Sequence, residues 1–244
     1  MRWHIIEGEA GCEFSVKHQC VAVVVDALRA SSTAAQLLYE GAREILVVRT
    51  VEEAIAAKVL WPNALLYGER GGVPPAGFDY GNSPLEAGNA RDRQVIFSTT
   101  TGAGRMVSAW GAQAVYLGAV INAAQTACEV QKQGSDIVLI PAGLSDDDDF
   151  DAQEDWVGAV AIALAAGPDI QLGEGKEQYE FWKTRIESEG LPHLFATAPH
   201  ASKLRAVGMD KDIVYCARKD IIDTVPRGME RNQWGIVTRA ATGL

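Results

Sequence analysis

The chain has 244 residues, 48% of them hydrophobic, and its 32 acidic against 22 basic side chains give a formal charge of −10. That length serves one large domain or two small ones and buries roughly 70–75% of the unfolded surface, so folding needs neither disulfide nor metal. The acidic balance, with no Lys/Arg-rich run to neutralise phosphates, argues against a nucleic-acid partner, and no apolar run approaches the roughly 18 residues that span a membrane.

Met1-Arg2-Trp3-His4 lacks the cationic start and apolar run of a signal peptide. Cys12, Cys20, Cys128 and Cys216 show no metal-knuckle spacing and read as scattered reduced thiols. The expectation is a cytoplasmic enzyme. Strands are predicted over 21–26, 44–49, 64–68, 94–98, 114–118, 136–141 and 212–217. Runs such as Val21-Ala22-Val23-Val24-Val25 are apolar throughout, as in strands covered on both faces. Helices are predicted between them over 32–39, 51–60, 104–110, 122–133 and 154–165, and a polar, peripheral one over 177–190. This alternation implies an α/β fold of three layers, α/β/α, with a parallel or mixed central sheet. With no repeat and no Ser/Pro-rich linker, residues 1–244 read as one domain, with 175–195 as a peripheral helical segment.

In open α/β sheets ligands bind beyond the carboxyl ends of the strands, at helix N-termini. After the first predicted strand comes Asp26-Ala27-Leu28-Arg29-Ala30-Ser31-Ser32-Thr33. Arg29 can fork onto a phosphate with help from Ser32, Thr33 and free helix N–H groups, while Asp26 can hold a cation or attack. A plain Ser/Thr helix cap beside a chance Asp–Arg pair explains the same residues. The third strand leads into Glu69-Arg70, a shaped Gly/Pro-rich loop, and Asp79-Tyr80-Gly81-Asn82-Ser83-Pro84. Glu69 and Asp79 are oxygen ligands of the kind Mg²⁺ takes, and Arg70 is a second anion fork. Asn82-Ser83-Pro84 also has the form of a helix cap with Pro at its first position.

The fourth strand is followed by Ser98-Thr99-Thr100-Thr101-Gly102-Ala103-Gly104-Arg105. Val107 stands where a dinucleotide loop would have its third glycine, and the Gly-Lys-Ser/Thr ending of a P-loop is missing. What remains is a turn whose Thr100, Gly102 and Arg105 suit a phosphate or sulfonate, or simply cap a helix. After 136–141 comes the acidic run Asp146–Asp149, which lacks the Gly and Glu of an EF-hand and reads as a solvated loop. Glu154-Asp155 then open an apolar helix, as favourable N-terminal charges or as Mg²⁺ ligands. There is no Gly-x-Ser-x-Gly elbow, no cysteine followed six residues on by arginine, and Leu28 replaces the second carboxylate of an aspartate-phosphatase loop. The four histidines are isolated; His200, near a helix predicted over 201–206, is kept as an outside candidate.

Taken together, these segments resemble the 2-phosphosulfolactate phosphatase family, the ComB-type enzymes of coenzyme M biosynthesis. The resemblance rests on Asp26-Ala27-Leu28-Arg29-Ala30-Ser31-Ser32-Thr33, Gly68-Glu69-Arg70, Gly77-Phe78-Asp79-Tyr80-Gly81-Asn82-Ser83-Pro84, Ser98-Thr99-Thr100-Thr101-Gly102, Pro141-Ala142-Gly143, Glu154-Asp155, Asp220 and Val225-Pro226, in the family's order. The chain departs from it at Thr101, where the family tends to have Asn, and in the Asp-rich stretch before Glu154.

The resemblance implies a ComB-like fold and a Mg²⁺-dependent phosphatase converting 2-phospho-3-sulfolactate to 3-sulfolactate and phosphate. It implies catalytic Asp26 and Arg29, and metal ligands among Asp26, Glu69, Asp79, Glu154 and Asp155. The substrate's anionic groups would meet Ser32, Thr33, Arg70, Asn82, Thr100, Gly102 and Arg105. The competing reading is a Mg²⁺-dependent lyase or isomerase acting on a small phosphorylated or sulfonated acid. The partner expected is a small anion, and a homodimer is the default for such an enzyme.

Overall fold

The structure is a computed structural model that describes residues 1–144 and 151–241. The acidic run Asp146–Asp149 lies outside the described residues. The strands are β1 (Arg2–Ile5), β2 (Val21–Val25), β3 (Glu44–Val47), β4 (Leu65–Gly68) and β5 (Gln94–Ser98). They continue with β6 (Ala114–Leu117), β7 (Ile137–Pro141), β8 (Gln171–Leu172), β9 (Pro226–Arg231) and β10 (Ile236–Ala240). Among the described residues they form one mixed ten-stranded sheet in the order β4-β5-β3-β10-β9-β6-β2-β7-β1-β8.

Two parallel blocks, β4-β5-β3 and β6-β2-β7-β1-β8, are joined by the antiparallel hairpin β9–β10, which also pairs antiparallel with β3 and β6. The blocks therefore run in opposite senses along the sheet. Neighbouring strands rotate by about 20–25°, so the pairings from β2 across to β5 accumulate on the order of 100–125° of twist. The loops after β2 and β5 nevertheless meet, where the Gly102 N–H at the start of α4 donates to Asp26 Oδ2 at 3.0 Å.

Residues of β2 serve both faces of the sheet. Val21, Val23 and Val25 pack with Ile137 and Leu139 against α5 (Ala123–Gln131) and α6 (Gln153–Ala165). Ala22 and Val24 pack against α1 (Gly8–Lys17), α2 (Ala30–Tyr39) and α4 (Gly102–Ser108) through Cys12, Ala34, Leu37 and Met106. All five residues of β2 are buried, which is why this strand is apolar without alternation. Beyond β3 the sheet is covered by α3 (Val51–Ala57). The chain thus has the three-layer α/β/α arrangement expected. Among the described residues no helix is long and apolar enough to cross a membrane.

The segment 212–217 is not a strand. It belongs to α10 (Asp210–Cys216), and its buried residues Ile213, Cys216 and Ala217 stand at the i, i+3, i+4 spacing of one helix face. The β-branched and aromatic content of Ile213-Val214-Tyr215 carries a strand signal that this packing overrides. Four strands go unread in the sequence: β1 and β8 are short, and β9 is largely exposed with no apolar alternation, so its partner β10 has no signal to pair with. The predicted peripheral helix is α7 (Lys176–Glu189), which docks on the core through Tyr179 and Trp182. It is followed by α8 (Leu191–Thr197) and α9 (Pro199–Ala206).

Candidate active site

The loop leaving β2 is built around Asp26. Asp26 Oδ1 accepts the Ala30 N–H and Oδ2 the Gly102 N–H, both at 3.0 Å, so the start of α2 and the start of α4 aim their unpaired amides at one carboxylate. Gly102 is required by this approach, because a Cβ there would lie 2.6 Å from Asp26 Oδ2 and 2.8 Å from Ala30 Cβ. Ser31 Oγ accepts the Asp26 N–H and donates to the Val24 carbonyl, fixing the turn.

The second group of carboxylates opens α6. Asp155 Oδ1 accepts the Ala27 N–H at 2.8 Å and Oδ2 the Gly143 N–H at 3.2 Å, tying the loops after β2 and β7 together. Glu154 beside it is 2% exposed, and its Oε2 has no hydrogen-bond partner. Burial raises all three carboxyls. Asp26 rises to about 6, chiefly by desolvation and held down by its amide donors, and Glu154 to about 8 by desolvation with the Asp26 charge adding to it. Asp155 is raised well above the carboxylate range by burial and by its two acidic neighbours.

These side chains line a cavity of about 150 Å³, below the 300–1,000 Å³ usual for drug-sized ligands and suited to a small acid. Arg29, Glu69, Asn82, Thr100, His200 and Lys203 also line it. Arg29 donates to Asp212 Oδ2 at 2.6 Å and to the Gly72 carbonyl at 2.8 Å. Glu69 accepts the Thr100 and Gly72 N–H groups at 2.8 and 2.9 Å, so it holds two site loops together while facing the cavity. Asn82 is 3% exposed with Oδ1 unpartnered. Burial pushes the His200 imidazole down to about 4, against the pull of Glu69. A larger depression of about 550 Å³ between α8, α9 and α10 has mostly apolar walls and Asp210 as its one lining carboxylate. The concentration of ionisable groups therefore favours the smaller cavity.

Other residues singled out in the sequence lie off the cavity lining. Arg70 donates to the Glu69, Ser98 and Arg49 carbonyls and to Ser98 Oγ. Arg105 donates to the Ala142 carbonyl and forms a 2.7 Å pair with Glu9 of α1. Ser32 Oγ donates to the Ala27 carbonyl, Thr33 Oγ1 to the Asn82 carbonyl, and Asp79 Oδ2 accepts the Leu66 N–H. These five side chains build the loops. Gly102 serves through its amide alone. Lys203 and Asp212 escape the sequence reading; His200 and Lys203, three apart on α9, carried a faint signal as two polar groups on one helical face.

The donor set fits a hard divalent cation. Buried carboxylates and an unpartnered amide oxygen supply only oxygen, and they repel one another without a counter-charge. Among the described residues no three His, Cys, Asp or Glu side chains form a group that could hold a metal ion by themselves. Mg²⁺ keeps several waters and needs only one or two carboxylates besides substrate phosphate, so this does not exclude it.

Comparison with known proteins gives a consistent picture. The profile of the family described as 2-phosphosulpholactate phosphatase matches residues 9–231. A "Probable 2-phosphosulfolactate phosphatase" of Carboxydothermus hydrogenoformans is 35% identical over 84% of this chain and 85% of its own. Proteins with the same description are 34% identical in Pseudothermotoga lettingae, over 86% of this chain and 90% of theirs, and 32% in Clostridium beijerinckii, over 91% and 94%.

Proposed function

Because the chain belongs to the 2-phosphosulpholactate phosphatase family, whose enzymes are phosphoric monoester hydrolases, we propose that it hydrolyses 2-phospho-3-sulfolactate to 3-sulfolactate and phosphate with the help of Mg²⁺. The observation that carries this reading is the gathering of Asp26, Glu154 and Asp155 beside Arg29 in one small cavity. Hydrolysis needs water to attack phosphorus, the bond from phosphorus to the C2 oxygen to break, and that oxygen to leave protonated. Most of the rate in such a reaction comes from positioning and from neutralising charge on the phosphoryl oxygens.

In this reading Arg29, which lines the cavity, binds those oxygens with the N–H donors that Asp212 and Gly72 leave over. One or two of the cavity carboxylates Asp26, Glu154 and Asp155 would hold the ion, with Asn82 Oδ1 and Glu69 on the same cavity. When bound, Mg²⁺ supplies Lewis-acid neutralisation of phosphoryl charge and lowers the pKa of water. Both Asp26 oxygens already accept backbone N–H groups, which fixes the carboxylate and lowers its nucleophilicity, favouring attack by water over attack by Asp26 itself. The proposed setting is cytoplasmic production of sulfolactate, as in coenzyme M biosynthesis.

The test is phosphate release from 2-phospho-3-sulfolactate with Mg²⁺ and with EDTA, beside phosphoglycolate and p-nitrophenyl phosphate. Rapid release that needs Mg²⁺ and favours the sulfonated ester supports the proposal. Absence of phosphate from every ester would overturn it and bring forward a lyase or isomerase using the same anion site.

A further inference from the structure

Asp212 has no place in the sequence reading and does not line the cavity, yet it is joined to the site from two sides. It is 2% exposed, on the inner face of α10. Its Oδ2 accepts from Arg29 Nη1 at 2.6 Å, and its Oδ1 accepts the Ser83 hydroxyl at 2.7 Å. Arg29 comes from the loop after β2; Ser83 comes from the loop after β4 and directly follows Asn82, whose Oδ1 is buried without a partner. One carboxylate on α10 thus bridges the two loops that carry the cavity's guanidinium and its amide.

We propose that Asp212 is a positioning residue that aims Arg29 at the phosphoryl group and, through Ser83, holds Asn82 in the cavity wall. The proposal rests on the phosphatase reading above. A guanidinium has five N–H donors, and with one committed to Asp212 and one to the Gly72 carbonyl the fork keeps donors for an anion while its plane is fixed. The pair also offsets part of the Arg29 charge, so Asp212 contributes orientation more than attraction. A buried ion pair is in itself a weak source of stability, because desolvation cancels most of the Coulombic gain. Misplacement of a reacting group by about 1 Å can cost on the order of 100-fold in rate.

The experiment compares the wild-type enzyme with Asp212→Asn and Ser83→Ala in phosphate release, thermal stability and calorimetric binding of inorganic phosphate. Asp212→Asn keeps an oxygen for Ser83 but releases Arg29. The expected result is a kcat lower by about 100-fold with KM reduced, since an uncompensated but misaimed Arg29 attracts the ground-state anion more strongly. Ser83→Ala leaves the ion pair intact and is expected to lower kcat by about 3–10-fold through Asn82. A role confined to holding the fold together would lower the melting temperature while folded enzyme kept wild-type kcat and KM, and that outcome overturns the proposal. If Asp212→Asn does not fold, Ser83→Ala decides, and wild-type kcat in that variant sinks the idea. Should the wild-type enzyme release phosphate from no ester, the phosphatase reading fails separately. Phosphate affinity then carries the test: binding about 10-fold tighter in Asp212→Asn is expected, because Arg29 loses the carboxylate that offsets its charge, and equal or weaker binding overturns it.

Discussion

The acidic wall of the cavity and the two arginines that follow β4 and β5 use their charged groups in opposite ways. On the wall, Asp26 and Asp155 are held by backbone amides and Glu154 is left with a bare oxygen, so charge is buried beyond what its surroundings neutralise. In the loop after β4 and in α4, Arg70 and Arg105 spend their donors on carbonyls, a serine and a glutamate. Both regions lie at strand ends, and both offer residues suited to anions or cations. The difference is one of place: the carboxylates line a cavity and leave Glu154 Oε2 without a partner, whereas Arg70 and Arg105 lie off it among protein partners.

The sharpest way to break this comparison is Asp26→Asn. Turnover should fall on the order of 1,000-fold with the protein still folded, as checked by phosphate release and circular dichroism. An Asp26→Asn enzyme that works at the wild-type rate would remove the wall from the chemistry. Glu154→Gln should lower turnover by about 100-fold, because it keeps the shape of the side chain but can neither ionise to hold a cation nor carry a proton.

A smaller effect is expected in stability against pH. The folded pKa of Glu154 lies at about 8, above the 4.5 of a free glutamate, so its contribution is complete at low pH and is lost as pH rises through 8. Asp26, raised to about 6, and Asp155 act in the same direction. His200, lowered to about 4, acts in the opposite direction, but only below its free value of 6.5. Melting temperature in EDTA should therefore fall between pH 6.5 and 8.5, and Mg²⁺ should reduce that fall. A melting temperature that rises over this range would contradict the burial of these groups as acids. The mildest change is Arg105→Lys, which loses the forked hold on Ala142 and Glu9. It should cost about 1–2 kcal/mol, or about 2–8 °C in a melting curve, with KM within about twofold of wild type.

Much of the architecture was legible because its signals are local. Six of the predicted strands stand where expected, since runs such as Ile137-Val138-Leu139-Ile140 bury both faces and need no partner to be recognised. The hairpin β9–β10 was not legible: its place in the middle of the sheet depends on pairing with β3 and β6, distant in sequence. Within the site, Asp26, Arg29, Glu69, Asn82, Thr100, Glu154 and Asp155 were singled out by their positions after strands and at helix starts, and the structure brings them around one cavity. Arg70, Arg105 and Asp79 had equally good positions, and only the packed structure shows that they lie off that cavity.

By itself the sequence determined the layered α/β plan, the loops that carry chemistry and the resemblance to a phosphatase family, because apolar runs, turn residues and short motifs act over a few neighbours. The tertiary structure alone decided which of those loops share a cavity. It did so through hydrogen bonds between loops far apart in the chain, as where the Gly102 N–H after β5 meets Asp26 after β2. It also turned 212–217 into a helix and set Asp212 against Arg29 across 183 positions of chain. Such pairings arise only when the whole chain is packed, since each carboxylate's environment is made by residues far from it in sequence.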